Sequence, residues 1–195
     1  MSARPGHLRI HGGSYDLSSP ESPTMLLRKQ TDFNQNFQVT LDFQPSHPGY
    51  EAGIVVWYNM YSYASIGIQV ASQEAGEMVK SVVVKHPCSE KWVIRARQQI
   101  KFSNYMLTTK QEIVLGACPK DPITLSIHCD SRVYSLSYRN PETEERFESK
   151  VKAEMLIRSP PVGGTFTGVM LGLYAFGKAG PCLMPADFSN ISCWS

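Results

Sequence analysis

The sequence predicts an all-β chain folded as a two-sheet antiparallel β-sandwich. Three observations carry the prediction. The dominant hydrophobic period is two, the spacing of a half-buried strand. Turn-forming words interrupt the chain at short intervals: QPSHPG at 44–49, CPKDP at 118–122 and RNPE at 139–142. No stretch longer than about ten residues keeps the 3.6-residue period of a helix.

Taken in chain order, Leu8–His11 and Met25–Gln30 are the first strand candidates. Phe37, Val39, Leu41 and Phe43 then alternate with Gln38, Thr40 and Asp42. In 51–58, Ala52, Ile54, Val56 and Tyr58 share one face, and Glu51, Gly53, Val55 and Trp57 share the other. Ala64, Ile66, Ile68 and Val70 alternate with Tyr63, Ser65, Gly67 and Gln69. Val79–Lys85, Trp92–Arg97 and Glu112–Leu115 follow as short strands. Leu125, Ile127 and Cys129 oppose Thr124, Ser126 and His128, and Tyr134, Leu136 and Tyr138 oppose Val133, Ser135 and Ser137. Residues 148–158 (ESKVKAEMLIR) hold one or two helical turns. Thr167–Phe176 and Phe188–Trp194 close a count of about twelve strands, the density of a sandwich. The short apolar terminal strands, HLRIHG and ADFSNISCW, are expected to pair and anchor the chain ends. No repeat or linker divides the sequence, so residues 1–195 read as one domain.

Bulk properties exclude several classes. Nineteen basic and 17 acidic residues leave a net charge of +2, too weak a field for a nucleic-acid or acidic-membrane partner. No window approaches the ~20 apolar residues of a membrane helix. The start, MSARPGHLRIHGG, lacks the apolar core of a signal peptide, so the expected location is cytoplasmic. Five cysteines without CxxC spacing read as free thiols, neither a disulfide framework nor a zinc site. Asn190-Ile191-Ser192 is formally a glycosylation sequon, on a strand expected to be buried.

Several words carry a resemblance. LRIHGGSYDLSSPESPTMLLRKQ, LDFQP, EAGIVVW, YASIGI, ITLSIH, PPVGGTFTGVMLGLYAFGKAGPC and ADF follow one another from Leu8 to Phe188. Together they resemble the C-terminal concanavalin A-like domain of fungal β-xylosidases of glycoside hydrolase family 43. The resemblance implies a jelly-roll sandwich with one concave sheet. In the xylosidases this domain packs beside a five-bladed propeller that carries the catalytic carboxylates and adds to the pocket rim; relatives are classed as carbohydrate-binding modules. A chain of 195 residues has no room for that propeller, so the expectation is a stand-alone sandwich.

Glycoside hydrolysis needs two carboxylates facing each other at ~5–9.5 Å. Glu51 is the one acid inside an apolar strand, and no second acid shares its strand face. A self-sufficient glycosidase is therefore not expected. Asp187 is a candidate for a turn amide or a calcium ion, although no set of residues in the sequence has the spacing of a metal site. The face with Glu51 and Trp57 reads as an open trough, in which Gly53 leaves room for a ligand. Its candidate catalytic residues are Glu51, Arg95, Arg97 and His128; its candidate ligand-binding residues are Trp57, Tyr63, Ser65, Gln69, Tyr174 and Phe176. Loops 71–78, 99–111 and 176–185 are the expected rims, with Met60, Tyr105, Met106 and Phe176 placed to close them.

Two functions fit such a trough. The first is a cofactor-free biosynthetic enzyme of the cyclase or hetero-Diels–Alderase type. It would hold an apolar metabolite in near-attack geometry, with arginine or histidine polarising a carbonyl and Glu51 or a tyrosine moving a proton. The second is a module that binds xylan or xylo-oligosaccharides, or an accessory domain of a family 43 glycosidase without catalysis of its own. Both imply a small organic ligand, no nucleic acid, no membrane and no cofactor.

Overall fold

The computed structural model describes residues 4–60, 62–72, 78–87, 110–117, 122–140, 144, 146–157, 168–178 and 180–195. Two six-stranded antiparallel sheets are stacked face to face. The first is ordered β1 (Leu8–Gly12), β12 (Cys182–Trp194), β3 (Gln35–Phe43), β8 (Ile123–Cys129), β9 (Val133–Arg139) and β10 (Arg146–Lys152). The second is ordered β2 (Met25–Lys29), β11 (Met170–Gly177), β4 (Tyr50–Asn59), β5 (Ser62–Ser72), β6 (Met78–Pro87) and β7 (Lys110–Ala117). The Trp92–Arg97 strand expectation lies outside the described residues.

The core follows from the alternation. On β3, Phe37, Val39, Leu41 and Phe43 are buried, while Asn36, Gln38, Thr40 and Asp42 stay half-exposed. They meet Ala52, Ile54 and Val56 of β4, Ala64, Ile66 and Ile68 of β5, and Val82 and Val84 of β6 across the sandwich. Each buried aliphatic or aromatic side chain is stabilised by about 1.5–3 kcal/mol through removal from water. The two terminal strands pair as expected, Leu8 opposite Phe188 and Arg9 opposite Asp187. Beyond β1, a parallel bridge joins Gly13 to Phe176 of the other sheet. Gly12 makes this approach possible: a Cβ there would lie 2.6 Å from the backbone nitrogen of Phe176.

One local expectation is met in part and two are corrected. The first half of 148–158 is the edge strand β10, because Phe147 and Val151 alternate with charged residues and Phe147 stacks on Tyr138 at 5.0 Å. The expected helical turn follows as α1 (Ala153–Ile157), whose Leu156 enters the core and accepts the Ser62 hydroxyl at its carbonyl oxygen. The sequon residue Asn190 is exposed: β12 shifts register between Ser189 and Ser192, and Asn190 takes a positive φ of 49° there. Asp187, the turn or calcium candidate, is occupied by two guanidinium groups. Arg9 donates to both of its oxygens at 2.7 Å, and Arg4 bridges Asp187 at 2.9 Å and Asp42 at 2.6 Å. Among the described residues no group of acids, cysteines and histidines is arranged to hold a metal ion.

These bonds, led by Arg9, hold the Asp187 carboxyl down to about 2. An unfolded aspartate titrates near ~3.9, so the pairing stabilises the fold above that pH and the contribution disappears as pH falls through about 2. D187N is therefore expected to melt below the parent at pH 7, with the gap closing towards pH 2. Thermal unfolding across that range checks it, and a gap that stays constant with pH would remove the ion pair as its cause.

Candidate functional site

The candidate site is built on the face of the second sheet that points away from the core. Alternation sends Glu51, Val55 and Trp57 of β4 to this face while Ala52, Ile54 and Val56 fill the sandwich. Register brings Glu51 opposite Gln69 of β5 and Phe176 of β11, and Trp57 opposite Tyr63. Ser65 stands opposite Lys85 of β6. The result is a charged centre set in an aromatic layer.

At that centre Lys85 donates to Glu51 Oε2 and, at 2.8 Å, to Gln69 Oε1. The Tyr174 hydroxyl donates to Glu51 Oε1 at 2.7 Å. The Lys85 ammonium also lies 5.9 Å from the centre of the Phe176 ring. Both carboxylate oxygens are engaged, and the side chain of Glu51 is only 2% exposed. Around them Trp57 stacks on Tyr63 at 5.5 Å and Tyr174 on Phe176 at 5.8 Å. Leu17, from the segment after β1, is buried against this layer, and Ser18 shares a 2.9 Å hydrogen bond with the Tyr63 hydroxyl.

The tyrosines here are hydrogen-bond partners held in their neutral form. Burial, then the charge of Glu51, pushes Tyr174 well above its ordinary range. Burial likewise raises Tyr63. Neither hydroxyl is poised to give up a proton near neutral pH, against the expectation that a tyrosine here would move one.

The trough expectation is changed in three respects. Trp57, Tyr63, Ser65, Tyr174 and Phe176 do share the face with Glu51 and Gln69, yet all of them except Gln69 are buried. Gly53 leaves room for protein. A Cβ there would lie 2.2 Å from the Ile66 carbonyl oxygen, and one on Gly67 would lie 2.6 Å from the Tyr174 hydroxyl. The glycine pair is the bed in which the Tyr174 side chain crosses the sheet. His128 belongs to β8 of the other sheet, exposed and hydrogen-bonded through Nδ1 to Asn36 at 2.9 Å. Strand alternation placed it correctly on a polar face, but sequence gives no means of assigning strands to sheets. Arg95 and Arg97 lie outside the described residues, as do Tyr105 and Met106.

This arrangement can be set beside known proteins. Residues 1–193 match the model of the β-xylosidase C-terminal concanavalin A-like domain, a family 43 domain. The chain belongs to this family. A non-reducing end α-L-arabinofuranosidase of Bacteroides ovatus is 23% identical over 192 residues, covering 96% of the chain and 31% of that protein. A solved family 43 structure from the xyloglucan locus of the same organism superposes with a TM-score of 0.72 at 22% identity, over 99% of this chain and 34% of that one. A family 43 protein from Bacillus licheniformis gives 0.68 at 20% identity, over 96% and 32%. These relatives are bacterial, whereas the sequence resemblance pointed to fungal enzymes. The chain spans about a third of their length.

In this family 43 sandwich the residue that the sequence reading missed is Lys85. A signal was present. Ser81, Val83 and Lys85 alternate with Val82 and Val84, so Lys85 points to the Glu51 face, and a buried acid needs a partner. Removing one member of such a pair costs about 3–5 kcal/mol, because the remaining charge is left uncompensated. K85M is therefore expected to lose stability on that scale in urea unfolding, and E51Q/K85M to recover part of it. K85M as stable as the parent would show that another group neutralises Glu51.

Proposed function

We infer that the chain serves as the non-catalytic C-terminal sandwich of a family 43 glycosidase, accompanying a separate catalytic module. The observation that carries this reading is the match of 193 residues to a domain that makes up the C-terminal part of such enzymes. The chemistry of the site agrees. Its one carboxylate is bound on both oxygens by Lys85 and Tyr174, while Asp187 is held by arginines in the other sheet. Asp42, which stands opposite Asp187 in register, shares the Arg4 guanidinium with it, so this pair of acids is tied up in an ion pair.

The biosynthetic cyclase or hetero-Diels–Alderase expectation finds no support. The comparisons lead to glycosidases, and the aromatic residues expected to line a metabolite pocket pack on one another and on Leu17. A small-molecule catalyst needs an enclosed cavity of ~300–1,000 Å³ at its reactive groups. The Glu51 carboxylate instead meets protein groups on both oxygens.

Hydrolysis of aryl β-xylosides and α-L-arabinofuranosides tests the reading. The 195-residue chain alone is expected to give no turnover, and mixing it with a family 43 propeller stripped of its own sandwich should raise that propeller's melting temperature or rate. Turnover by the chain alone, abolished in E51Q, would overturn it.

A further inference from the structure

The outer face of the first sheet carries a trough that the Glu51 network does not use, with a volume of ≈ 580 Å³. Its floor is a row of short polar side chains across three adjacent strands, Gln38 opposite Ser126 and Ser126 opposite Ser137. Ser137 is only 3% exposed although it points outward, because taller neighbours stand around it. One wall is Trp194, 46% exposed, in register with Asn36 and, through it, His128. The opposite wall is formed by Arg139 and Arg146, paired across β9 and β10. Arg139 is engaged by Glu144 at 3.2 Å, whereas the Arg146 guanidinium has no ion-pair partner among the described residues. Trp194 and Arg146 sit four strand spacings apart across the sheet, roughly 19 Å at ~4.8 Å per strand, and are further offset along the strands, since the row of Trp194 meets β10 at Lys150.

The lining decides the kind of occupant. An apolar metabolite would strand the amide and hydroxyl groups of the floor without hydrogen bonds. Nucleic acid calls for a continuous basic groove, and among the described residues here a single arginine lacks an ion-pair partner. A protein partner is anchored by an apolar centre, and the centre of this trough is polar. An extended, hydroxyl-rich chain satisfies all of it: ring faces for the exposed indole, hydroxyls for Gln38, Ser126 and His128, and an acidic substituent for Arg146.

We propose that this trough binds an acidic oligosaccharide, a glycan strand bearing uronic acid, with a sugar ring stacked on Trp194 and a carboxylate on Arg146. The site goes beyond the accessory role and stands independently of it, since binding is read on the chain alone and turnover plays no part.

Calorimetric titration with xylotetraose, a glucuronic-acid-branched xylo-oligosaccharide and tetragalacturonate tests the proposal. At least one acidic glycan should bind about tenfold more tightly than xylotetraose, the scale of one charge-assisted hydrogen bond. That preference should shrink with added salt. R146Q should abolish the preference and leave neutral binding unchanged, while W194A should weaken all binding. Both side chains are exposed, so melting temperatures near the parent's will certify the fold of each variant. Equal binding of acidic and neutral glycans, no binding of any of them, or folded R146Q and W194A variants that bind like the parent would each overturn the proposal. Those results would leave the accessory reading standing, because it is tested by turnover and propeller association.

Discussion

A carboxylate on a strand buried on both faces must have its charge met inside the protein, and much of the second sheet is arranged around that requirement. Eight successive residues of β4, Glu51 to Tyr58, are buried. Glu51 is the only charged group among them, so its partners come from other strands: Lys85 from β6 and Tyr174 from β11, with Gln69 of β5 accepting a second bond from Lys85. One interaction thereby fixes the register of β11, β4, β5 and β6. A slip of one residue in any of these would turn Glu51, Lys85 or Tyr174 into the apolar space between the sheets. The network costs desolvation that an all-apolar face would not, and in return it specifies a single arrangement of four strands.

The two sheets consequently differ in character. In the first sheet the alternation is half-buried, and β3 and β8 send polar side chains to solvent at every second residue. In the second, β4 and β5 are covered on both faces, the outer face by its own aromatic layer and by Leu17. The aromatic residues look like a binding platform in sequence because the same side chains serve stacking on a ligand and stacking on each other. Burial separates the two uses. Trp57 and Tyr174 spend their ring faces on protein neighbours, whereas Trp194 leaves much of its indole to solvent.

Strand identity was legible wherever one face met the core and the other met water. The 37–43 and 124–129 segments are examples, with Phe37 and Ile127 in and Gln38 and Ser126 out. It was less legible where tertiary contacts outweigh local preference: ESKVK has helix-forming residues, and it becomes an edge strand because Val151 finds the core beside β9. The two faces of 51–58 were also readable, since Ala52, Ile54 and Val56 are small and aliphatic while Glu51 and Trp57 are neither. What could not be read was which faces belong to the same sheet. His128 and Glu51 are both polar residues flanked by apolar ones on their strands, and only long-range pairing puts them on opposite sheets. Gly53 misled for a related reason: an absent side chain signals a close approach without saying whether a ligand or a neighbouring strand makes it.

The position of the charges favours a passive second sheet and an available first sheet. A group that works on a ligand must change partners when the ligand arrives, and Glu51, Lys85 and Tyr174 have none to spare without leaving a buried charge exposed to an apolar neighbourhood. Arg4, Arg9, Asp42 and Asp187 are similarly committed, tying the segment before β1 to β12 and β3. Apart from these two locked clusters lies the open face of β3, β8 and β9, where side chains are short and bounded by Trp194 and Arg146. Exchange of water for ligand hydroxyls there breaks no buried ion pair. The buried ionisable groups are thus committed to one another in both sheets, and the neutral polar side chains on the outer face of the first sheet are the ones free to exchange water for another partner.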